Sequence, residues 1–228
     1  MPLAIVTGAS RGLGLALARA LANRGWGLVL DARGAADLDA VAHELGQLTE
    51  VIAMPGDVAD PDHRRDLVGA AGERIDLLVN NASTLGPSPQ PALARYPLEE
   101  LERVYRINVF APLALVQLAL PRLVDGARIL NITSDAGVEP YEGWGGYGSS
   151  KAALEQLSAI LGAEHPELKV YAVDPGDMRT RMHQEAFPGE DVSDRPPPED
   201  SVPGLLALID EGPPSGRYRA REHERDLV

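Results

Sequence analysis

Tyr147 and Lys151 stand at positions i and i+4 in YGSSK. On a helix that spacing stacks both side chains on one face, so both can enter the same cleft. A free phenol, with a pKa of about 10, moves protons poorly at neutral pH, and a neighbouring ammonium draws that value down. The chain has 21 lysines and arginines, yet the only lysines are Lys151 and Lys169. Elsewhere a cation is written as arginine, so Lys151 marks a place where geometry asks for a compact ammonium rather than a planar guanidinium. Lys169, in ELKVYAV, reads as a surface charge. Ser134 closes the apolar run RILNITS, and a hydroxyl there can donate to a carbonyl oxygen and steady alkoxide charge.

A second group of residues has binding chemistry. TGASRGLG, Thr7 to Gly14, follows a strand-like run and precedes a helical one. Gly8, Gly12 and Gly14 let the backbone turn tightly against a ligand, and the helix start offers free N–H groups to a pyrophosphate. A strand before, a helix after and a βαβ unit around them are the context that a dinucleotide site requires. The next strand ends in LVLDAR. A carboxylate there suits the ribose hydroxyls and an arginine suits a 2′-phosphate, and Asp31 and Arg33 offer one of each.

The elements that must hold these residues are legible as alternating patterns. LAIVTG, WGLVLDAR, TEVIAMPGDV and IDLLVNNA read as buried strands; GLGLALARALANRG, AADLDAVAHELG and PDHRRDLVGAAGE between them read as amphipathic helices. PLEELERVYRINVFAPLALVQLALPRLV predicts a long helix with a kink or break at Pro112. Two more strands, ARILNITS and LKVYAVDPG, flank the helix GSSKAALEQLSAILGAEH; SVPGLLALID is a short helix, SGRYRA a last strand, and the charged REHERDLV is expected to fray. The alternation predicts a three-layer α/β fold, a parallel sheet of about seven strands with helices on both faces, in one domain over 1–228. Residues 176–203 are polar and proline-rich and read as a long loop of the kind that forms a substrate lid. His183, within it, reads as an exposed loop histidine.

A formal net charge of −13 disfavours nucleic acid and anionic membranes as partners. With no cysteine, disulfide and thiol chemistry are excluded, and no acidic residues cluster at ligand spacing, so no metal is expected. Neither a leader peptide nor an apolar run of membrane length is read, which makes the cytoplasm the expected location.

The loop spacing G-x-x-x-G-x-G, followed in order by DV at 57–58, NNAS at 80–83, Asn108, a strand ending in Ser134, YGSSK and PGDMRT at 175–180, resembles the classical short-chain dehydrogenase/reductase family. The likeness runs from Thr7 to about Thr180, with weaker similarity beyond. It implies a Rossmann-type fold and hydride transfer between a nicotinamide cofactor and a small carbonyl or alcohol substrate. Asn108, Ser134, Tyr147 and Lys151 then form the catalytic set. Tyr147 gives the proton to the substrate oxygen, Ser134 steadies that oxygen, and Lys151, with a water held by Asn108, resupplies the proton. The cofactor set implied is Gly8, Ser10, Arg11, Gly12, Leu13, Gly14, Arg33, Asp57, Val58, Asn80, Ala82, Tyr147, Lys151, Pro175, Gly176, Met178 and Thr180. Within it Asp57 meets the adenine amino group, Asn80 ties neighbouring strands together and borders the cofactor, and Met178 and Thr180 hold the carboxamide.

Counted from Gly8, the acid that selects NAD(H) in this family falls on Ala32. Asp31 comes one residue early and points to the opposite strand face. Arg33 and Arg11 stand where NADP-preferring members carry basic residues. NADP(H) is therefore the expected cofactor, and Asp31 keeps NAD(H) possible. Two departures are noted: Ser83 replaces the usual glycine of NNAG, and Asp177 is unusual beside the carboxamide segment. Family precedent implies a homodimer or homotetramer packed through the long helices. The rival reading is a cofactor-binding redox sensor without turnover, which has no need of the four catalytic residues together.

Overall fold

A computed structural model describes residues 1–223. Three β/α units and a fourth strand open the chain: β1 (Leu3–Val6), α1 (Gly12–Asn23), β2 (Gly27–Ala32), α2 (Ala35–Leu45), β3 (Val51–Pro55), α3 (Pro61–Ala70) and β4 (Ile75–Asn80). Then come α4 (Leu98–Tyr105), α5 (Ala111–Ala119), β5 (Leu123–Ile132), α6 (Gly145–Glu164), β6 (Lys169–Asp174), α7 (Arg181–Ala186), α8 (Val202–Glu211), β7 (Gly216–Arg219) and α9 (Ala220–His223). The sheet has 7 strands in the order β3-β2-β1-β4-β5-β6-β7, all parallel. The expected fold is the observed one.

Strand alternation builds two cores from one sheet. Leu28 and Leu30 of β2 face Leu17, Leu21, Leu38 and Leu208 of α1, α2 and α8, while Ile5, Val29 and Leu78 face Leu67 of α3 and Leu115 of α5. Each fully buried leucine contributes about 1.5–3 kcal/mol, which is what holds helices on both faces. Asp60 caps α3, its Oδ1 accepting the Asp62 N–H at 2.9 Å, and Pro61 sits at the first helical position. The strand order reverses between β1 and β4, so their carboxyl ends open a crevice, the usual ligand position in such sheets.

Two expectations change. Pro112 does not break the long helix. A π turn, Arg106–Phe110, absorbs the disruption ahead of it, and Pro112 starts α5, where its missing N–H leaves no gap. The run Leu98–Arg122 is 25 residues long and, by length and composition alone, apolar enough to cross a membrane; half of its most apolar window is buried in the fold, as suits a core helix. The long loop 176–203 carries α7 and a turn of 3-10 helix at Pro198–Ser201. The expected last strand is β7; of REHERDLV, expected to fray, residues 221–223 lie in α9 and 224–228 lie outside the described residues.

Candidate active site

At the end of β1 the Thr7 hydroxyl donates to the Val79 carbonyl (3.2 Å) and accepts the N–H groups of Asn81 and Ala82, both at 3.0 Å. The Asn81 amide donates to the Thr7 and Gly8 carbonyls at 2.8 and 3.2 Å. The glycine loop is thus strapped to the end of β4. Gly8 has φ +65°, and a Cβ there would stand 2.9 Å from Asn81 Nδ2; a Cβ on Gly14 would overlap the Gly8 carbonyl. Only glycine closes the loop this tightly. Arg11 caps α1 without a side-chain bond, which leaves the first amides of the helix directed at the crevice.

The crevice is a continuous cleft of about 980 Å³. At one end it is bounded by Gly8, Ser10, Arg11, Gly12 and Leu13, then by Arg33, Asp57 and Val58. Arg11 and Arg33 are exposed, and neither guanidinium has an ion-pair partner among the described residues. Asp57 accepts the Ala59 N–H at 2.9 Å, so it shapes its own turn as well as the cleft wall. Ala82 lies midway. At the other end stand Ser134, Tyr147 and Lys151, with Pro175, Gly176, Met178 and Thr180 along the rim. A glycine cradle, an open helix terminus and two free arginines in one elongated cleft fit a nicotinamide dinucleotide carrying a 2′-phosphate.

Tyr147 and Lys151 do share one face of α6, and Lys151 Nζ lies 5.4 Å from the phenol ring centroid. Nζ donates to the Ile132 carbonyl at 2.7 Å. Burial pulls the Lys151 pKa down to about 7, against the opposing pull of Glu155. Burial pushes the Tyr147 pKa well above the ordinary phenol value; the hydrogen bond with Ser134 opposes this, while the charges of Asp174 and Asp135 add to it. The expectation that Lys151 draws the phenol down therefore fails for the protein by itself. Desolvation outweighs a lysine that burial has brought close to neutrality. Ser134 Oγ donates to Asp135 Oδ1 at 2.9 Å, and Asp135 Oδ2 accepts the Tyr141 hydroxyl at 2.9 Å.

Three expected site residues stand behind the cleft rather than on it: Gly14, Asn80 and Asn108. Asn80 does tie strands together, donating to Asn131 Oδ1 at 2.8 Å, and Asn131 donates to Ser158 of α6 at 2.8 Å. It does not border the cleft; Asn81, the next residue, does. Strand alternation sends one asparagine of the pair inward and the other to the loop. Asn108 sits in the π turn, where its amide donates to the Thr84 carbonyl and to Ser150 Oγ, both at 2.9 Å. Its Oδ1 accepts the Thr84 N–H (2.9 Å) and the Ser83 hydroxyl (3.1 Å). Its side chain is therefore spent on fastening the loop after β4 to α6.

The Tyr147 end of the cleft is walled by Leu85, Trp144, Met182 and Ala186. His183 is not exposed: its side chain is 10% accessible, its ring lies 5.0 Å from that of Phe187, and its Nε2 accepts from Arg195 Nε at 3.3 Å. Residues that sequence reasoning missed are Asn81, Asp135, Asp174 and His63. For Asn81 the doubled asparagine of NNAS was the available signal. Asp135 and Asp174 directly adjoin Ser134 and Pro175, and only His63 is brought in by a distant element.

The family model described as short chain dehydrogenase matches residues 2–191. A curated relative from Pseudomonas aeruginosa, a rhamnolipid-biosynthesis 3-oxoacyl-[acyl-carrier-protein] reductase, is 36% identical over 79% of this chain and 74% of its own length. A putative short chain dehydrogenase from Pseudomonas syringae superposes with a TM-score of 0.90 at 31% identity, covering 96% of this chain and 94% of that one. Another from Shigella flexneri, solved with NADP, superposes with a TM-score of 0.89 at 28% identity, covering 96% and 97%.

Proposed function

The chain belongs to the short-chain dehydrogenase family, and from that premise we propose that it is an NADP(H)-dependent oxidoreductase that reduces an aldehyde or ketone to an alcohol, or runs the reverse. The observation that carries this reading is the single cleft with Ser134, Tyr147 and Lys151 at one end and the glycine loop with Arg11 and Arg33 at the other. The NADP complex of the Shigella flexneri relative supports the cofactor, and the Pseudomonas aeruginosa reductase supports the carbonyl chemistry.

Arg11, Arg33 and the first amides of α1 hold the phosphates, Asp57 and Val58 flank the adenine, and Met178 and Thr180 meet the carboxamide. When bound, the cofactor supplies or accepts the hydride. Tyr147 carries the other half of the chemistry. Burial keeps its phenol protonated across neutral pH, so it stands ready to give a proton to a carbonyl oxygen. Ser134 orients that oxygen once its hydroxyl turns from Asp135 Oδ1, to which it donates in the protein by itself. Lys151, with a pKa brought to about 7, can pass a proton in either direction near neutrality. Asn108 acts as a strut for this end of the cleft. Leu85, Trp144, Met182 and Ala186 favour a compact apolar substituent on the substrate, and segment 176–203 closes over it as a lid. Leu98, Phe110 and Ile160, exposed on the long helices, fit a homodimer or homotetramer packed there.

The test is oxidation of NADPH and of NADH, followed by absorbance with a panel of aldehydes and ketones. Turnover led by NADPH supports the reading. Turnover led by NADH retains the enzyme and removes the arginine argument. Tight NADPH binding with no turnover across the panel favours the sensor reading instead.

A further inference from the structure

Asp31 ends β2 on the face opposite Ala32, the face it shares with Val29 against α3. There it meets His63, in the first turn of α3, with Oδ1 2.6 Å from Nε2. Oδ2 accepts the N–H of Gly8, the first glycine of the loop, at 3.4 Å. The side chains are 2% and 9% accessible, so the pair is sealed in. The imidazole lies over Gly56, where a Cβ would overlap its ring. Asp31, Gly56, Asp57 and Arg33 bound the same end of the cleft, so the pair forms the floor beneath the adenosine position.

An ionised carboxylate at this point has two possible uses. Turned toward the ribose it accepts from the hydroxyls and repels a 2′-phosphate; turned inward it does neither. His63 takes up one oxygen and Gly8 the other, so both already have partners within the protein. Burial raises the Asp31 pKa, His63 opposes that by hydrogen bond and charge, and Asp57 adds to it from nearby.

We propose that His63 is a positioning residue for cofactor discrimination: it holds Asp31 turned inward and offsets its charge, so that Arg11 and Arg33 face a 2′-phosphate without a competing carboxylate. The inference rests on the NADP(H) reading given above. It assigns to a helix far from LVLDAR in sequence a share in the preference usually sought within that stretch.

The experiment is equilibrium titration of the full chain with NADPH and with NADH, read by quenching of tryptophan fluorescence and repeated by calorimetry, for the wild type, His63→Ala, His63→Gln, Asp31→Asn and the His63→Ala/Asp31→Asn double variant. His63→Ala is expected to lower the NADPH-to-NADH affinity ratio about tenfold. Glutamine, which keeps a donor for Asp31, is expected to hold the ratio within about threefold of wild type, and removing the carboxylate in the double variant to restore it. Equal weakening of both cofactors by His63→Ala means a merely structural role and overturns the proposal, as does an unchanged ratio. Should His63→Ala not fold, the single Asp31→Asn variant decides: a ratio at or above the wild-type value supports the proposal and a fall overturns it. A wild-type chain that binds neither dinucleotide overturns the functional reading together with this one. A wild type that prefers NADPH, with variants that share its ratio, overturns only this one.

Discussion

The two ends of the cleft solve different problems with different means. At the end where we place the adenosine, the groups that line the cleft are backbone amides and two exposed arginines, Arg11 and Arg33. Their charges stand in water and need little tuning, because recognition of a phosphate asks only for donors in the right place. At the catalytic end Tyr147 and Lys151 are 7% and 2% accessible, and burial has moved the pKa values of both. Proton transfer asks for groups whose proton affinity differs from that in water, and only desolvation or a fixed charge provides that. The first end is inexpensive in stability and the second is costly.

If that division is real, the largest effect belongs to Tyr147→Phe. The expected loss in kcat with a turned-over carbonyl is on the order of 10²–10⁴-fold, with NADPH affinity within about twofold of wild type. Steady-state kinetics and fluorescence titration measure the two. A parallel loss of NADPH affinity would mean the ends are not separable.

A smaller effect tests the cost. Folding lowers the Lys151 pKa from its ordinary 10.5 to about 7. In the unfolded chain the amine keeps its proton up to the higher value. The penalty is therefore in full force below pH 7 and disappears as the pH rises toward the unfolded value, so the Lys151 contribution to stability improves with pH across that window. Lys151→Met should thus melt higher than wild type at pH 6, by on the order of 1–2 kcal/mol once the lost bond to Ile132 is deducted, and the gain should shrink toward pH 10. Thermal unfolding at the two pH values checks it. A pH-independent difference would show that the lysine carries no desolvation cost.

The smallest effect is at the exposed end. Arg33→Ala is expected to weaken NADPH binding about tenfold, or about 1.4 kcal/mol, and NADH binding by less than about threefold. Its melting temperature should not move, because the side chain is exposed and unpaired among the described residues. Titration with both cofactors decides this. A shift in stability would mean that the arginine has a structural task as well.

How much could be read beforehand follows the same division. The glycine loop, the strands and the Tyr147–Lys151 face were legible, because each depends on neighbours within a few residues: the turn needs glycine, the buried strand needs a continuous apolar run, and i,i+4 places two side chains together. Asn80 was legible as a tie between strands and Asn108 as important. Both lie behind the cleft, and which neighbours an amide satisfies depends on elements 51 and 42 residues away, at Asn131 and Ser150.

The linear order of residue types alone was enough for the layers, the place of the crevice and most of the residues that line its two ends, since periodicity and local spacing specify these. Packing alone decided the directions in which the pKa values of Tyr147 and Lys151 move, the contact of Asp31 with His63, and the replacement of a break at Pro112 by a π turn at Asn108. Desolvation and long-range hydrogen bonding arise only when distant segments close over a group, and no spacing within a single stretch encodes how completely they will do so.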